Sequence, residues 1–287
     1  MKNWSEIFKR AELEKWAVPH FNISNLEQLR AIITSCVKLK SPVMIGTSEG
    51  ERRFIGGRQA VALLRAFREE TGIPIILNAD HHKSFEAVKE AVDAGYDSIL
   101  FDGSALSFEE NVKTTLRVME YAKSKNPEIT VEGELGYLRG SSEILNEKIK
   151  LEASDFTNPD QAREFVNLTG VNRLAIAVGN IHGISLDEPM LDFERIRAIH
   201  EKNIDTILVL HGGSGISDGD LKKAINVGIR NVHINTEVRA AYTNALRKSL
   251  VNHPDDVTPY KIFPPVSEAV QALVEKKLVA FGSINKI

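Results

Sequence analysis

The sequence predicts one α/β domain, a closed (β/α)8 barrel. Three observations carry that expectation. Eight short apolar runs are spaced along the 287 residues, and runs of that length read as parallel strands buried on both faces. Amphipathic segments of helical period separate them, so strand and helix alternate. Histidines, acids and glycines fall just past the strand ends, where α/β folds place their chemistry.

The elements follow in order. MKNWSEIFKRAELEKW (1–16) has a helical period and no signal-peptide apolar core, so it reads as an N-terminal amphipathic helix. AVPHFN (17–22) is the first strand and PVMIGT (42–47) the second, with a helix over 25–39 between them. IPIIL (73–77) follows a helix over 58–71, and DSILFD (97–102) follows one over 84–95. ITVEGEL (129–135) comes after a long helix over 107–125. LAIAV (174–178) comes after a helix over 159–170, which Asn158-Pro159 opens with proline in its first turn. TILVL (206–210) is the seventh strand, and NVHIN (231–235) follows a helix over 217–228. Gly95, Gly170 and Gly228 stand where left-handed residues stop helices. The chain is thus expected to be one TIM-barrel domain over 1–287, with an N-terminal helix and a C-terminal helical extension. Residues 136–157 have no clear period and many polar residues, so they are expected to form a mobile loop over the active face.

Composition narrows the function. Net charge is −3, and no basic stripe or charge block favours nucleic acid or an anionic membrane. No apolar run approaches the length of a membrane span. The single cysteine, Cys36, sits among Ile32, Ile33 and Val37 at helical spacing and reads as packing. No intrachain disulfide can form, and the cytoplasm is the expected compartment.

The chemistry gathers on the strand ends. His81 follows the third strand, His182 the sixth and His211 the seventh. Three imidazoles on one rim point to a metal with one coordination position left open. Asp80 beside His81 has the character of a general acid or base. His82 comes next; successive extended residues face opposite ways, so at most one of the two histidines is expected to be a ligand. Gly212-Gly213-Ser214-Gly215 after the seventh strand, and Asn235-Thr236 opening a helix after the eighth, form the usual barrel phosphate site. A phosphorylated substrate is inferred. Asp102 and Glu134 end the fourth and fifth strands, where each would bind a second cation, orient a ligand histidine or cap the backbone. Asn22 and Ser48 complete a polar ring, and His233 alternates with Asn235 toward the barrel mouth. From these residues alone, the expectation is a metal-dependent enzyme acting on a phosphorylated carbonyl or hydroxyl compound.

The chain also resembles the class II fructose-/tagatose-bisphosphate aldolases. The matching stretches are AVPHFNISNLEQ (17–28), SPVMIGTSEG (41–50), NADHH (78–82), FDGSALSFEENV (101–112), VEGELGYL (131–138), DFTNPDQAREFVNLTGV (155–171), AVGNIHG (177–183), LVLHGGSGI (208–216), NTEVR (235–239) and FGSINKI (281–287). The resemblance implies one Zn2+ per subunit on His81, His182 and His211, with a monovalent cation as an added option near Asp102 and Glu134. It implies that Asp80 handles the C4 hydroxyl proton while the metal polarises the C2 carbonyl, so no Schiff-base lysine is needed. Gly183, Gly212, Gly213, Ser214, Asn235 and Thr236 would hold the C1 phosphate, and Asn22 and Ser48 match polar active-site positions. The implied reaction is reversible cleavage of fructose or tagatose 1,6-bisphosphate to dihydroxyacetone phosphate and glyceraldehyde 3-phosphate, a step of glycolysis, by a cytoplasmic homodimer or homotetramer.

Three departures stand against this pattern. His233 replaces an asparagine that contacts dihydroxyacetone phosphate in relatives. The loop motif Gly-Gly-x-Glu-Asp appears as Arg139-Gly140-Ser141-Ser142-Glu143, so Ser142 takes the place of the proton-abstracting carboxylate. Glu143, one position on, is the expected substitute, and Glu147 is more remote. Asn78-Ala79 replaces His-Leu. These departures keep two alternatives open. One is a related metal-dependent aldolase or epimerase acting on another phosphorylated ketose. The other is a non-catalytic sugar-phosphate binding protein.

Overall fold

The computed structural model describes residues 4–287. Its strands are β1 (Val18–Asn22), β2 (Val43–Thr47), β3 (Ile75–His82), β4 (Ser98–Phe101), β5 (Thr130–Leu135), β6 (Gly140–Ile144), β7 (Arg173–Ile176), β8 (His182–Ile184), β9 (Ile207–Leu210) and β10 (Ile229–Ile234). Eight of them close into a barrel in the order β1-β10-β9-β7-β5-β4-β3-β2, every pair parallel. All eight expected strands are barrel strands. Parallel closure puts their C-terminal ends on one rim.

Local chemistry sets the helix limits. Asn25, Ser84, Ser107, Asn158 and Ser217 each cap a helix start through the side-chain oxygen. Gly95 and Gly170 end their helices in the left-handed region, as the sequence predicts. Two helices lie outside the expected set: Glu49–Ile55 after β2, and Phe193–Lys202 before β9.

Two apolar assemblies hold the fold. The main core lies between barrel and helices, with Leu29, Val131, Phe165 and Leu208 among its buried members. A smaller cluster joins Ile7, Phe8 and Ala11 of helix Trp4–Glu14 to Trp16, Val18, Met44 and Ile76, closing the end of the barrel where the strands begin. The C-terminal helix Pro264–Phe281 buries Val266, Val270, Val274 and Leu278, a spacing of one face. Among the described residues, no helix is long and apolar enough to cross a membrane.

Residues 136–157 differ from the irregular loop expected. They contain β6, which pairs in parallel with β8, and a short 3-10 turn at Ala153–Asp155. The pairing has a register shift between Gly140 and Ile144, and an irregular ladder of this kind leaves no clean period in the sequence.

Phe165 is fully buried, and its ring fills the space that a Cβ at Gly133 would need, 2.6 Å away. Phe165→Ala is expected to lower stability by about 3–5 kcal/mol. Urea unfolding followed by circular dichroism measures this, and an unchanged midpoint would refute it.

Candidate metal centre and active site

A backbone irregularity decides which histidine faces the site. The register of β3 against β4 shifts between Ala79 and His82, and His81 sits at φ 45, in the left-handed region. Regular alternation would send Asp80 and His81 to opposite sides. With the shift, both line the same pocket. His82 turns away: its Nε2 accepts from Arg52 Nε at 3.0 Å, and its Nδ1 donates to the Asp80 carbonyl at 3.1 Å. Burial first, and then Arg52, push its pKa down to about 4.

His81 stands edge-on to two other imidazoles, with ring centroids 4.7 Å from His182 and 4.5 Å from His211. Carboxylates grip the far side of two of these rings. His81 Nδ1 lies 3.2 Å from Asp102 Oδ2 and 3.4 Å from Glu134 Oε2, and His211 Nε2 lies 2.7 Å from Glu132 Oε1. Ligand atoms of Asp80, His81 and His211 come within 4.8 Å of one another. Asp80 Oδ1 is buried without a hydrogen-bond partner, and Asn22 Nδ2 donates to its Oδ2 at 2.9 Å. An orphaned carboxylate oxygen facing imidazoles backed by carboxylates suits a divalent cation. Of the three histidines singled out in the sequence, His81 packs against both others, and among the described residues the ligand-atom groups include His81 and His211 and leave out His182.

Charge in this cluster is strongly redistributed. Burial opposes a charge on His81, but Asp80, Glu134 and Asp102 outweigh it and raise its pKa to about 10. Burial likewise opposes the Asp80 anion, yet His81 above all holds its carboxyl well below the usual range. Burial, then His81 and His211, push His182 down to about 3. Burial, then Asp102, push Glu134 up to about 8. Opposed shifts crowded into one cleft are characteristic of functional sites.

The neighbouring side of the pocket suits an anion. Gly212 lies at φ 61, and a Cβ there would stand 1.9 Å from the Ile181 carbonyl oxygen, so only glycine fits. Ser214, Asn235 and Thr236 line the pocket beside it, at the N-terminus of helix Thr236–Asn252. Asn235 Oδ1 is buried and unpartnered. The Gly213 N–H already donates to the His233 carbonyl at 3.0 Å, so Gly213 shapes the turn and offers no free donor of its own.

Eleven residues singled out in the sequence line this one pocket: Asn22, Asp80, His81, His182, Gly183, His211, Gly212, Ser214, His233, Asn235 and Thr236. Asp102 and Glu134 stand behind His81. Three others lie outside the lining, Gly213 under the turn and two elsewhere. Ser48 caps helix Glu49–Ile55, in a reciprocal pair with Glu51. Glu143 is exposed, and Ser142 takes the place at the lining, its carbonyl held by Arg239 Nη1 at 3.0 Å. Several polar residues beneath the site lie outside the sequence expectation: His20, Asn78, Glu132, Arg173 and Asn231, all buried. For all but Arg173 the signal is present as alternation: 20 and 22, 78 and 80, 132 and 134, 231 and 233 are polar at every second strand position.

The fructose-bisphosphate aldolase class-II family model matches residues 2–286. A probable fructose-bisphosphate aldolase of Bacillus subtilis (strain 168) is 37% identical over 285 residues, covering 98% of both chains. A fructose-bisphosphate aldolase of Geobacillus stearothermophilus shares 37% identity, covering 98% of this chain and 96% of the relative. Among solved structures, the YdjI aldolase from Escherichia coli K12 superposes with TM-score 0.83 at 32% identity, over 98% of this chain and 97% of that one. A closed parallel barrel with this rim, matched end to end by these relatives, makes the chain a lyase belonging to the class II fructose-bisphosphate aldolase family.

Proposed function

We propose that the protein catalyses the zinc-dependent, reversible aldol cleavage of a ketose 1,6-bisphosphate, fructose or tagatose, to dihydroxyacetone phosphate and glyceraldehyde 3-phosphate. The observation that carries this reading is the unpartnered Asp80 oxygen, set in the same pocket as three imidazoles and a helix N-terminus. His81, His182 and His211 would hold the zinc. When bound, it supplies a Lewis acid that polarises the substrate carbonyl. Asp102 and Glu134 fix the ring of His81 and offer oxygens to a monovalent cation. Glu132 does the same for the ring of His211.

Asp80 takes the C4 hydroxyl proton as the C3–C4 bond breaks, and returns it in the condensation direction. Asn22 steers that carboxylate, because one amide group donates to both Asp80 Oδ2 and Glu51 Oε2 at 2.9 Å. Gly183, Gly212, Ser214, Asn235 and Thr236 hold the C1 phosphate against the helix N-terminus, on a turn that Gly213 shapes. Glu143 is the C3 acid that the family resemblance implies, and it stands exposed on β6 beside the pocket-lining Ser142. A specific observation favours a second reading: the loop presents Ser142, without a carboxylate, to the pocket. That suits an aldolase or epimerase for another phosphorylated ketose, in which C3 exchanges its proton by another route. For assembly, a homodimer or homotetramer is supported by Leu250, Val251, Val257 and Tyr260, large apolar residues exposed on adjoining elements.

Chelation is expected to abolish fructose 1,6-bisphosphate cleavage, and zinc to restore it. A zinc-loaded protein inactive on fructose and tagatose bisphosphates would transfer the assignment to the second reading. Asp80→Ala is expected to cut kcat by about 10²–10⁴-fold while bound zinc, measured by atomic absorption, stays near one per subunit. Full activity in that variant would remove Asp80 from the mechanism. Sedimentation is expected to give a mass above the monomer; a monomer would overturn the oligomer.

A further inference from the structure

Beneath the pocket, one guanidinium touches side chains from five strands. Arg173, 1% exposed, opens β7 and points into the barrel. Its Nη1 donates to Asn231 Oδ1 at 2.9 Å and lies 3.5 Å from Met44 Sδ. Its Nη2 donates to Asn78 Oδ1 at 3.1 Å and to Ser98 Oγ. Glu132 Oε2 is its ion-pair partner at 2.8 Å. None of these contacts belongs to the pocket lining.

A guanidinium has five N–H donors and no acceptor. Whatever faces it must therefore present an acceptor, which for an amide is its oxygen, and this fixes both amides. Asn231 turns Oδ1 to Arg173 and donates Nδ2–H to the Val18 carbonyl at 2.8 Å. Its Oδ1 also meets His233 Nε2 at 3.1 Å, so His233 must carry its hydrogen on Nε2. Asn78 turns Oδ1 to Arg173, so its Nδ2–H points to His20 Nε2 at 3.1 Å, and His20 carries hydrogen on Nδ1. Glu132, held beside the cation, accepts from His211 Nε2 at 2.7 Å, so that ring also carries its hydrogen on Nε2.

The consequences reach the reacting atoms. His211 Nδ1 is left with a bare lone pair, 4.0 Å from Asp80 Oδ1. His233 Nδ1 is left bare, 3.3 Å from the same oxygen, and both of those atoms are buried without partners. Two acceptors so close make a receptor for one hydroxyl hydrogen, of the kind a substrate hydroxyl supplies. His233 cannot swing aside, because it stacks on His20 with centroids 3.5 Å apart and planes 3° apart. His20 in turn occupies space that only a glycine at position 46 leaves free, 2.2 Å from where a Cβ would stand.

We propose that Arg173 is a positioning residue of this site: through Asn231, Asn78 and Glu132 it sets which ring nitrogen of His233, His20 and His211 carries hydrogen. His211 Nδ1 is thereby kept for the metal, and His233 Nδ1 joins Asp80 as the receptor for the substrate's hydroxyl. The roles of His211 and Asp80 rest on the proposed aldolase reading; the hydrogen placement does not.

The test reads the tautomers directly. Long-range 15N–1H spectra of histidine-labelled protein, metal-free and zinc-loaded, are expected to show hydrogen on Nδ1 of His20 and on Nε2 of His211 and His233. The reverse tautomer at His233 or His20 in the wild type overturns the proposal. Arg173→Lys keeps the charge and loses the fork. It is expected to fold, to show mixed tautomers at His20 and His233, to bind zinc about 10–100-fold more weakly, and to lose kcat with KM little changed. Wild-type tautomers and wild-type zinc affinity in a folded Arg173→Lys protein overturn the proposal. Should that variant fail to fold, Asn231→Leu cuts the His233 branch alone. It is expected to lose kcat and the fixed His233 tautomer while zinc affinity holds; an unmoved tautomer overturns the proposal. Assigned tautomers in a protein that cleaves no ketose bisphosphate uphold the hydrogen placement and reject the aldolase reading instead.

Discussion

A closed barrel of parallel strands gives its inward side chains no access to water, so charge placed there must be matched by charge or by hydrogen bonds. This barrel is charged inside. Glu132 and Arg173 are essentially inaccessible, and Asp80 and Glu134 sit directly above them. Burial is the first force on all four groups, and the arrangement of the site is the set of contacts that offset it. The pairing of Glu132 with Arg173 and His211 is what keeps Glu132 anionic against that burial.

Stability and chemistry are accordingly divided between two layers. The packing between strands and helices is aliphatic and aromatic, and it holds the fold in the ordinary way. The inner layer, which in most barrels of this type is also branched and apolar, is largely polar at the level of Asn78, Ser98, Arg173 and Asn231. Buried ion pairs seldom stabilise a fold beyond their own desolvation. Their effect here is to fix directions: each side chain is oriented by a partner that accepts only one hydrogen pattern.

The eight strands could be read from the sequence because a strand buried on both faces is a near-continuous apolar run. The three ligand candidates could be read because each follows such a run. The choice between His81 and His82 could not, since it turns on a bulge and one left-handed residue, and neither leaves a mark in residue type. Ser48 caps a helix outside the pocket lining, for a related reason. Serine at a strand end serves equally as a ligand contact or a helix cap, and Glu51 three residues later is the sign of a cap. The inner polar layer was visible as period-two polarity, but apolar runs draw attention to the residues between them. Glu143 was favoured by nearness in sequence, while strand alternation in β6 turns Ser142 to the pocket and Glu143 to solvent.

The β6–β8 ladder ties two things that would otherwise move separately. Gly140 pairs with His182, the His182 N–H donates to Arg139 O at 2.9 Å, and Leu145 N donates to Ile184 O at 2.8 Å. One strand belongs to the segment that brings Ser142 to the pocket; the other begins with His182, which lines the same pocket. Displacing that segment therefore pulls on the backbone of His182, whose ring packs against His81. The loop strand and the His182 side of the pocket are thereby one mechanical unit, in which the order of either is a report on the other.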